Sequence, residues 1–573
     1  MSVNAGGNRP FGARLGWISL GLVAALAFSL AAVAAEKEPG APELSKEETI
    51  RLGERIYRDG ILPSGEPMMA TVRGDIVIEG TMFSCSSCHL RGGLGSNEGR
   101  VATLPTNGRS LYQPYDDVRT PFTTIEKNFN KFRAAYRRPA YTDETLADVL
   151  RLGIDPTGRE LDPTMPRYDL KAADMAILIA YLKNLSSETP PGVTESTIRF
   201  ATVIAGEVSA EDQRAMLLPL ESFVRERSAR TVGIGRRIRM RATTEGLALA
   251  SRGMSLSRWE LTGPPETWRA QLEEHYRKEP VFALLGGISS GEWRPIHAFC
   301  EENGIPCILP VTDYPVITET DYYTLYFSKG LYQEGEAAAR YLMREMGDAP
   351  GTSIVQAYRD SKRARALADG FRETWKELGL PAPAETVVGQ KDAITAGFLR
   401  GLAAGNENAV LLLWAGPETY PALEALAAGG KRPGRIFVSS SLLGQEFEKL
   451  PDPARDFTFI TYPYRFPQEE GIYANPARAW LAAKKIPLND RRIATRMYSL
   501  CGLLSQALGN MRQNIYRDNF LDSFSILADQ QLPDYERLSF GPGQQYASKG
   551  CYIVQLDRGK KFYLLKKSDW VIH

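Results

Sequence analysis

Residues 281–290 read Val-Phe-Ala-Leu-Leu-Gly-Gly-Ile-Ser-Ser: five apolar positions in a row, a pair of glycines, then small residues. A short apolar run closed by glycine is the pattern of a strand buried on both faces. Comparable runs stand at Phe200–Ile204, Cys307–Leu309, Ser353–Val355, Val410–Leu413 and Ile436–Val438, with amphipathic stretches such as Glu334–Met346 and Ala364–Leu378 between them. Strand, helix, strand in that order predicts parallel sheets covered on both faces. Residues 198–573 are long enough for two such α/β lobes, and a cleft between lobes is where ligands bind. No Gly-rich phosphate loop, metal-ligand cluster or nucleophile elbow marks this region as an enzyme.

Upstream, Ser186-Ser187-Glu188-Thr189-Pro190-Pro191-Gly192 is a polar Pro/Gly stretch that neither helix nor strand runs through, so a linker is expected over 188–197. Before it lies Cys85-Ser86-Ser87-Cys88-His89. Two thiols three positions apart can each add to a vinyl group of haem while the adjacent imidazole reaches the iron. A redox CxxC or half a zinc site is the alternative reading, but no second Cys/His cluster completes four zinc ligands. The expected cofactor is one haem c, held covalently by Cys85 and Cys88 with His89 on the iron.

The surrounding region, 36–187, reads as a small all-α domain. Ser45 and Glu48 form a capping-box pattern, and Ile50, Leu52, Ile56 and Tyr57 follow at helical spacing. Met175, Leu178, Ile179, Leu182 and Leu185 mark a second helix, which can cross the first closely at Gly53. The second iron ligand is expected from Met165, because the prolines of Asp162-Pro163-Thr164-Met165-Pro166 exclude a helix interior and present the thioether from a stiff loop. Met175 is the chief rival but lies on an apolar helix face. Met68 and Met69 would need their loop to fold over the haem, and Met82 is too near the first thiol.

The chain opens with Arg9 and Arg14, an apolar run from Leu15 to Ala35, and Ala32-Val33-Ala34 where a signal peptidase would cut. This reads as an export signal over 1–35, with an uncleaved inner-membrane anchor as the alternative. A periplasmic location with no span after cleavage is expected, which suits covalent haem attachment. Lys plus Arg number 69 against 68 for Asp plus Glu, a balance that does not point to a nucleic-acid partner. In the same compartment Cys300–Cys307 and Cys501–Cys551 are candidate disulfides or buried free thiols. His275, His297 and His573 stand alone and read as ordinary surface or core residues.

Two resemblances follow from these motifs. Gly53 and Tyr57, the Cys85–His89 motif, Gly153-Ile154-Asp155 leading to Met165-Pro166, and Ala180–Leu185 together resemble a class I cytochrome c. That resemblance implies His89 and Met165 as axial ligands; an insertion carrying Met68 and Met69 is a departure from the family pattern. From about Ile198 onward, the order of Gly233-Ile234-Gly235-Arg236, Gly286–Ser290, Gly304-Ile305-Pro306, Pro310-Val311-Thr312-Asp313, Trp414–Glu418, Phe540-Gly541 and Tyr552–Val554 resembles the type I periplasmic solute-binding proteins of the branched-chain amino-acid group. It implies a two-lobed α/β fold with ligand contacts at Ser290, Thr312, Asp313 and Glu418. Asp313 stands where the family offers a hydroxyl, so repulsion of a ligand carboxylate is expected there.

Together these readings predict a periplasmic electron carrier with one covalent haem and no bond-making activity. Its second domain would dock a redox partner, such as a dehydrogenase, or bind a small solute. The alternative is a solute-binding receptor, or a binding protein associated with an ABC transporter, whose haem senses redox state. A catalytic haem with an open sixth position is a third reading.

Overall fold

The structure is a computed structural model that describes residues 44–98, 101–116, 137–238, 252–346, 353–403, 406–488, 492–511, 514–541, 543–560 and 563–572. The run Leu15–Ala35 read as an export signal lies outside the described residues. Among those described, no helix is long and apolar enough to cross a membrane. Residues Glu47–His573 form one compact unit.

The anticipated buried strands all form, and they sort into two sheets. In the first lobe Thr197–Ala205 pairs in parallel with Ala283–Leu285, which continues through Cys307–Ile308 to Thr324–Leu325. On its other side Thr197–Ala205 pairs along its whole length with Gly253–Leu261. This last strand is not among the apolar runs. It mixes Ser, Arg and Glu with Leu and Trp because it is an edge with one face toward solvent. The second lobe orders Ala384–Val388, Ile354–Arg359, Val410–Trp414, Arg435–Ser439 and Thr458–Tyr462 as a parallel sheet. Gly550–Leu556 and Leu564–Lys566 then close it antiparallel.

Between these last two sections the chain returns to the first lobe. Helices Ile493–Met511 and Arg517–Ser525 place Met497, Leu500, Leu504, Phe520 and Phe524 in the same core as Phe200 and Phe282. The rings of Phe282 and Phe520 lie 5.2 Å apart, the spacing of a favourable aromatic pair. The expected linker is not a free tether. A Cβ on Gly192, where φ is +86°, would meet the backbone of Val281 and Phe282, and Arg199 N–H donates to the Gly192 carbonyl at 2.8 Å.

The amino-terminal part corrects the all-α expectation. Helices Lys46–Asp59, Asp143–Leu152 and Ala172–Asn184 are present, but Met69–Val72, Ile76–Glu79 and Arg167–Tyr168 form a three-stranded antiparallel sheet. The insertion carrying Met68 and Met69 supplies its hairpin. Arg73 and Gly74 both take positive φ at the tip, the backbone a tight hairpin requires.

All six cysteines are free thiols, Cys300, Cys307, Cys501 and Cys551 among them. Cys501 lies in the first-lobe core and Cys551 in the second, so the fold separates that candidate pair. Cys300 and Cys307 are neighbours, and burial pushes the Cys300 thiol well above its usual value, with Cys307 adding to the shift. His297 is an internal structural residue, its ring nitrogens 2.9 Å from Tyr326 Oη and from Asp321 Oδ2.

Helix Lys46–Asp59 crosses Ala172–Asn184 at Gly53, where a Cβ would fall 2.4 Å from Tyr181 Cβ. The Tyr57 and Tyr181 rings lie 5.5 Å apart beside the crossing. Gly53→Val forces the helices apart and is expected to destabilise the amino-terminal part by roughly 1–3 kcal/mol, the usual cost of overpacking. Denaturant unfolding followed through this part measures it; an unchanged midpoint would exclude the close crossing.

Candidate functional site

A cavity of about 590 Å³ opens between the lobes. Val311 and Asp313 face it from the first lobe, Arg363, Ser440 and Phe447 from the second, and Arg492, Thr495 and Arg496 from the start of helix Ile493–Met511 and the residue before it. Tyr462 and Tyr464 line it where the chain leaves the second lobe.

Of the solute contacts implied by resemblance, Asp313 is on this wall. Ser290, Thr312 and Glu418 are not among the lining residues. The Ser290 side chain is exposed while its N–H donates to the Ala205 carbonyl. Thr312 Oγ1 accepts from Tyr314 N–H at 3.0 Å, and Glu418 pairs with Arg359 at 3.0 Å on the second lobe. Asp313 itself is paired across the cleft with Arg363 Nε at 3.2 Å. That cation offsets the charge from which repulsion of a ligand carboxylate was expected. Arg492 and Arg496, which sequence reasoning missed, add two guanidiniums to the wall beside Arg363. They sit in a helix start with no local motif, and only the return of the chain to the first lobe brings them here.

The Cys85–His89 segment is a short helix. Its first thiol is buried, meets Tyr168 Oη at 3.8 Å, and is pushed up to about 11 by burial. The His89 ring is buried, with Nδ1 2.7 Å from the Leu104 carbonyl. A carbonyl can only accept, so Nδ1 carries the proton and Nε2 is the nitrogen left to meet a metal. Burial holds the imidazole below its usual pKa, which keeps that lone pair available. Thr103 Oγ1 and Ser96 Oγ donate to the Cys88 carbonyl, and Tyr57 Oη to that of Leu90, so the segment is held from both sides.

Met165 is half-buried against the same core, in a loop where Asp162 Oδ1 accepts from Thr164. Tyr168, three residues on, is the one that meets Cys85. Met68 and Met175 are core residues, and Met69 is exposed. Met82 and Phe83, just before the motif, are 74% and 41% exposed. Apolar groups left in water beside two thiols and an oriented imidazole fit an apolar prosthetic group at this place.

Helix Arg517–Ser525 joins this segment to the first lobe. Asp522 accepts from Gly92 N–H at 2.7 Å and from Arg91 N–H at 3.3 Å, three and two residues after His89, and from Tyr322 Oη at 3.0 Å. One turn earlier Asp518 pairs with Arg58 at 2.6 Å and accepts from Tyr323 Oη. The Arg91 guanidinium lies 3.9 Å above the Tyr322 ring.

The sequence profile of the family described as periplasmic binding protein matches residues 261–561, more than half of the chain. The chain belongs to that family. None of the curated proteins matches it. Among solved structures it is similar to an ABC-transporter branched-chain amino acid protein from Thermus thermophilus with bound valine, at 14% identity over 66% of this chain and 97% of that one, TM-score 0.45. A solute-binding protein from R. palustris in complex with benzoate matches with the same identity, coverage and TM-score. A leucine-binding protein from Thermotoga maritima matches at 12% identity over 65% and 98% of the two chains, TM-score 0.43.

Burial pushes the Asp522 carboxyl up to about 6 from 3.8, although the Gly92 N–H works the other way; Asp518 adds to the rise, and Tyr322 and Arg91 oppose it. The docked state therefore binds the proton more tightly than the unfolded chain does. This contact is most favourable below about pH 4 and weakens as pH rises through about 6, by up to roughly 3 kcal/mol for a two-unit shift. Unfolding measured from pH 4 to 8 should show that slope in the wild type and a flatter one in Asp522→Asn; identical slopes would remove Asp522 as its source.

Proposed function

We propose that the chain is a periplasmic solute receptor whose cleft takes a small solute and whose amino-terminal part carries one covalent haem that senses redox state. The observation that carries this reading is the continuity between the two sites. Helix Ile493–Met511 faces the cavity with Thr495 and Arg496, shares a core with helix Arg517–Ser525, and Asp522 of the latter holds the backbone two residues past His89.

The two-lobed fold and the family support the receptor half; proteins of this family are exported binding proteins, not enzymes. The Cys85-x-x-Cys88-His89 spacing, the Nδ1 contact of His89 and the apolar surface beside the motif support the haem half. Cys85 and Cys88 would hold the group covalently, His89 Nε2 would meet the iron, and Met165 is the proposed second ligand. When bound, the haem supplies a one-electron store. The chain orients the imidazole through Leu104 and positions its backbone through Asp522. Electron carriage indifferent to the cleft is the competing reading, with a dehydrogenase as one class of donor.

Haem should stay with the polypeptide in acidified organic solvent, because thioether bonds survive denaturation; extraction from correctly exported protein removes the haem half. Met165→Ala should abolish any sulfur-to-ferric-iron band and open the iron to small ligands, and an unchanged spectrum would reassign the second ligand. A haem potential that moves when the cleft is filled supports the sensor; one that ignores a bound solute supports the carrier.

A further inference from the structure

Arg167 ties together both ends of the loop that carries Met165. Its Nη2 donates to the Leu161 carbonyl at 2.9 Å and its Nη1 to the Met165 carbonyl at 2.5 Å. Leu161 N–H in turn donates to the Gly153 carbonyl at 2.7 Å. Gly153, whose φ is +74°, caps the end of helix Asp143–Leu152, and a Cβ there would collide with the Arg167 guanidinium. The cation therefore lies directly on the glycine backbone, a close approach that a side chain would prevent.

Between those ends the loop is held again. Asp162 Oδ1 accepts from Thr164 N–H at 2.9 Å and from Thr164 Oγ1 at 2.8 Å, and Met165 N–H donates to the Asp162 carbonyl at 3.0 Å. The inserted hairpin reaches the same loop with its tip, where Arg73 N–H donates to the Pro163 carbonyl at 2.9 Å. Arg167 is itself fixed by the sheet, because its backbone is the strand partner of Thr71 in that hairpin. The carbonyls of Leu161, Pro163 and Met165 thus all have donors on the sheet that the insertion builds.

We infer that Arg167, seated on Gly153, is the positioning residue for the second iron ligand, holding the loop so that the Met165 thioether stays presented. This rests on the haem half of the reading above and deepens it. A guanidinium suits the place because its fork reaches two carbonyls at once, where a lysine ammonium is a point charge. A hydrogen bond from a charged donor is worth at least about tenfold in the equilibrium between a held and a released loop. Release of the loop leaves the iron open to outside ligands and lowers its potential, since thioether ligation favours ferrous iron.

The test uses the exported full chain with haem attached, as wild type, Arg167→Ala, Arg167→Lys and Met165→Ala. Imidazole titration of the ferric protein, the sulfur-to-ferric-iron band and the reduction potential are read for each. Arg167→Ala should bind imidazole at least about tenfold more tightly than wild type, with a weaker band and a lower potential, and Arg167→Lys should fall between them. Gly153→Ala displaces the guanidinium, so it should act in the same direction and add little once Arg167 is already alanine. Thermal unfolding of each variant separates a released loop from a misfolded domain, and if Arg167→Ala does not fold, Arg167→Lys carries the comparison. Wild-type imidazole affinity and potential in the Arg167 variants, while Met165→Ala changes both, would overturn the positioning role and leave the haem reading standing. A spectrum unchanged in Met165→Ala would overturn it by moving the second ligand elsewhere. Exported protein that carries no covalent haem would remove that reading and this inference together.

Discussion

Arg517 is the residue on which the arrangement of the two halves depends. Its guanidinium reaches the first-lobe backbone, donating to the carbonyls of Val281 at 2.8 Å, Phe282 at 3.1 Å and Gly304 at 3.2 Å, and to Tyr276 Oη at 3.0 Å. A planar cation with five donors suits such a set of carbonyls, where an ammonium would not span them. With the start of the helix held there, Asp518 and Asp522 fall one turn apart on the same side and face the amino-terminal part. A buried carboxylate is tolerable only when paired or hydrogen-bonded. Arg58 answers Asp518, and two backbone amides with a tyrosine answer Asp522. The same helix buries Phe520 and Phe524 in the lobe core, so one element is bonded to both halves.

The cleft is closed more lightly. Glu292–Lys362 and Asp313–Arg363 cross from lobe to lobe at 2.7 and 3.2 Å. The first is largely exposed, and such pairs contribute about 0–1 kcal/mol after screening and side-chain ordering. The inner wall carries charged side chains of both signs, whereas each lobe core is built of buried apolar residues.

The amino-terminal part shows how a local motif depends on distant support. Cys85, Cys88 and His89 come from five consecutive residues, yet the orientation of the imidazole comes from Leu104, and the segment is braced by Tyr57, Ser96 and Thr103. The inserted hairpin brings Met69–Val72 against Arg167–Tyr168, and Tyr168, three residues after Met165, meets the first thiol.

The sequence by itself determined the buried strands, the two-lobed α/β class, the thiol-imidazole motif and the close helix crossing at Gly53. Each rests on residues near one another in the chain, where apolar runs, spacing and the absence of a side chain act locally. It did not determine the edge strand Gly253–Leu261, whose mixed composition follows from a neighbour pairing with only one side. Nor did it determine the cavity wall. Asp313 was legible as a cleft residue, but its cationic partner Arg363 stands fifty positions away. Arg496, Asp534 and Ser440 line one cavity only because the chain leaves the second lobe after Tyr462 and returns to the first. Which side chains share a cavity, and which buried charges find a partner, is decided by tertiary packing, since Coulomb interaction and desolvation depend on distance in space and not on separation along the chain.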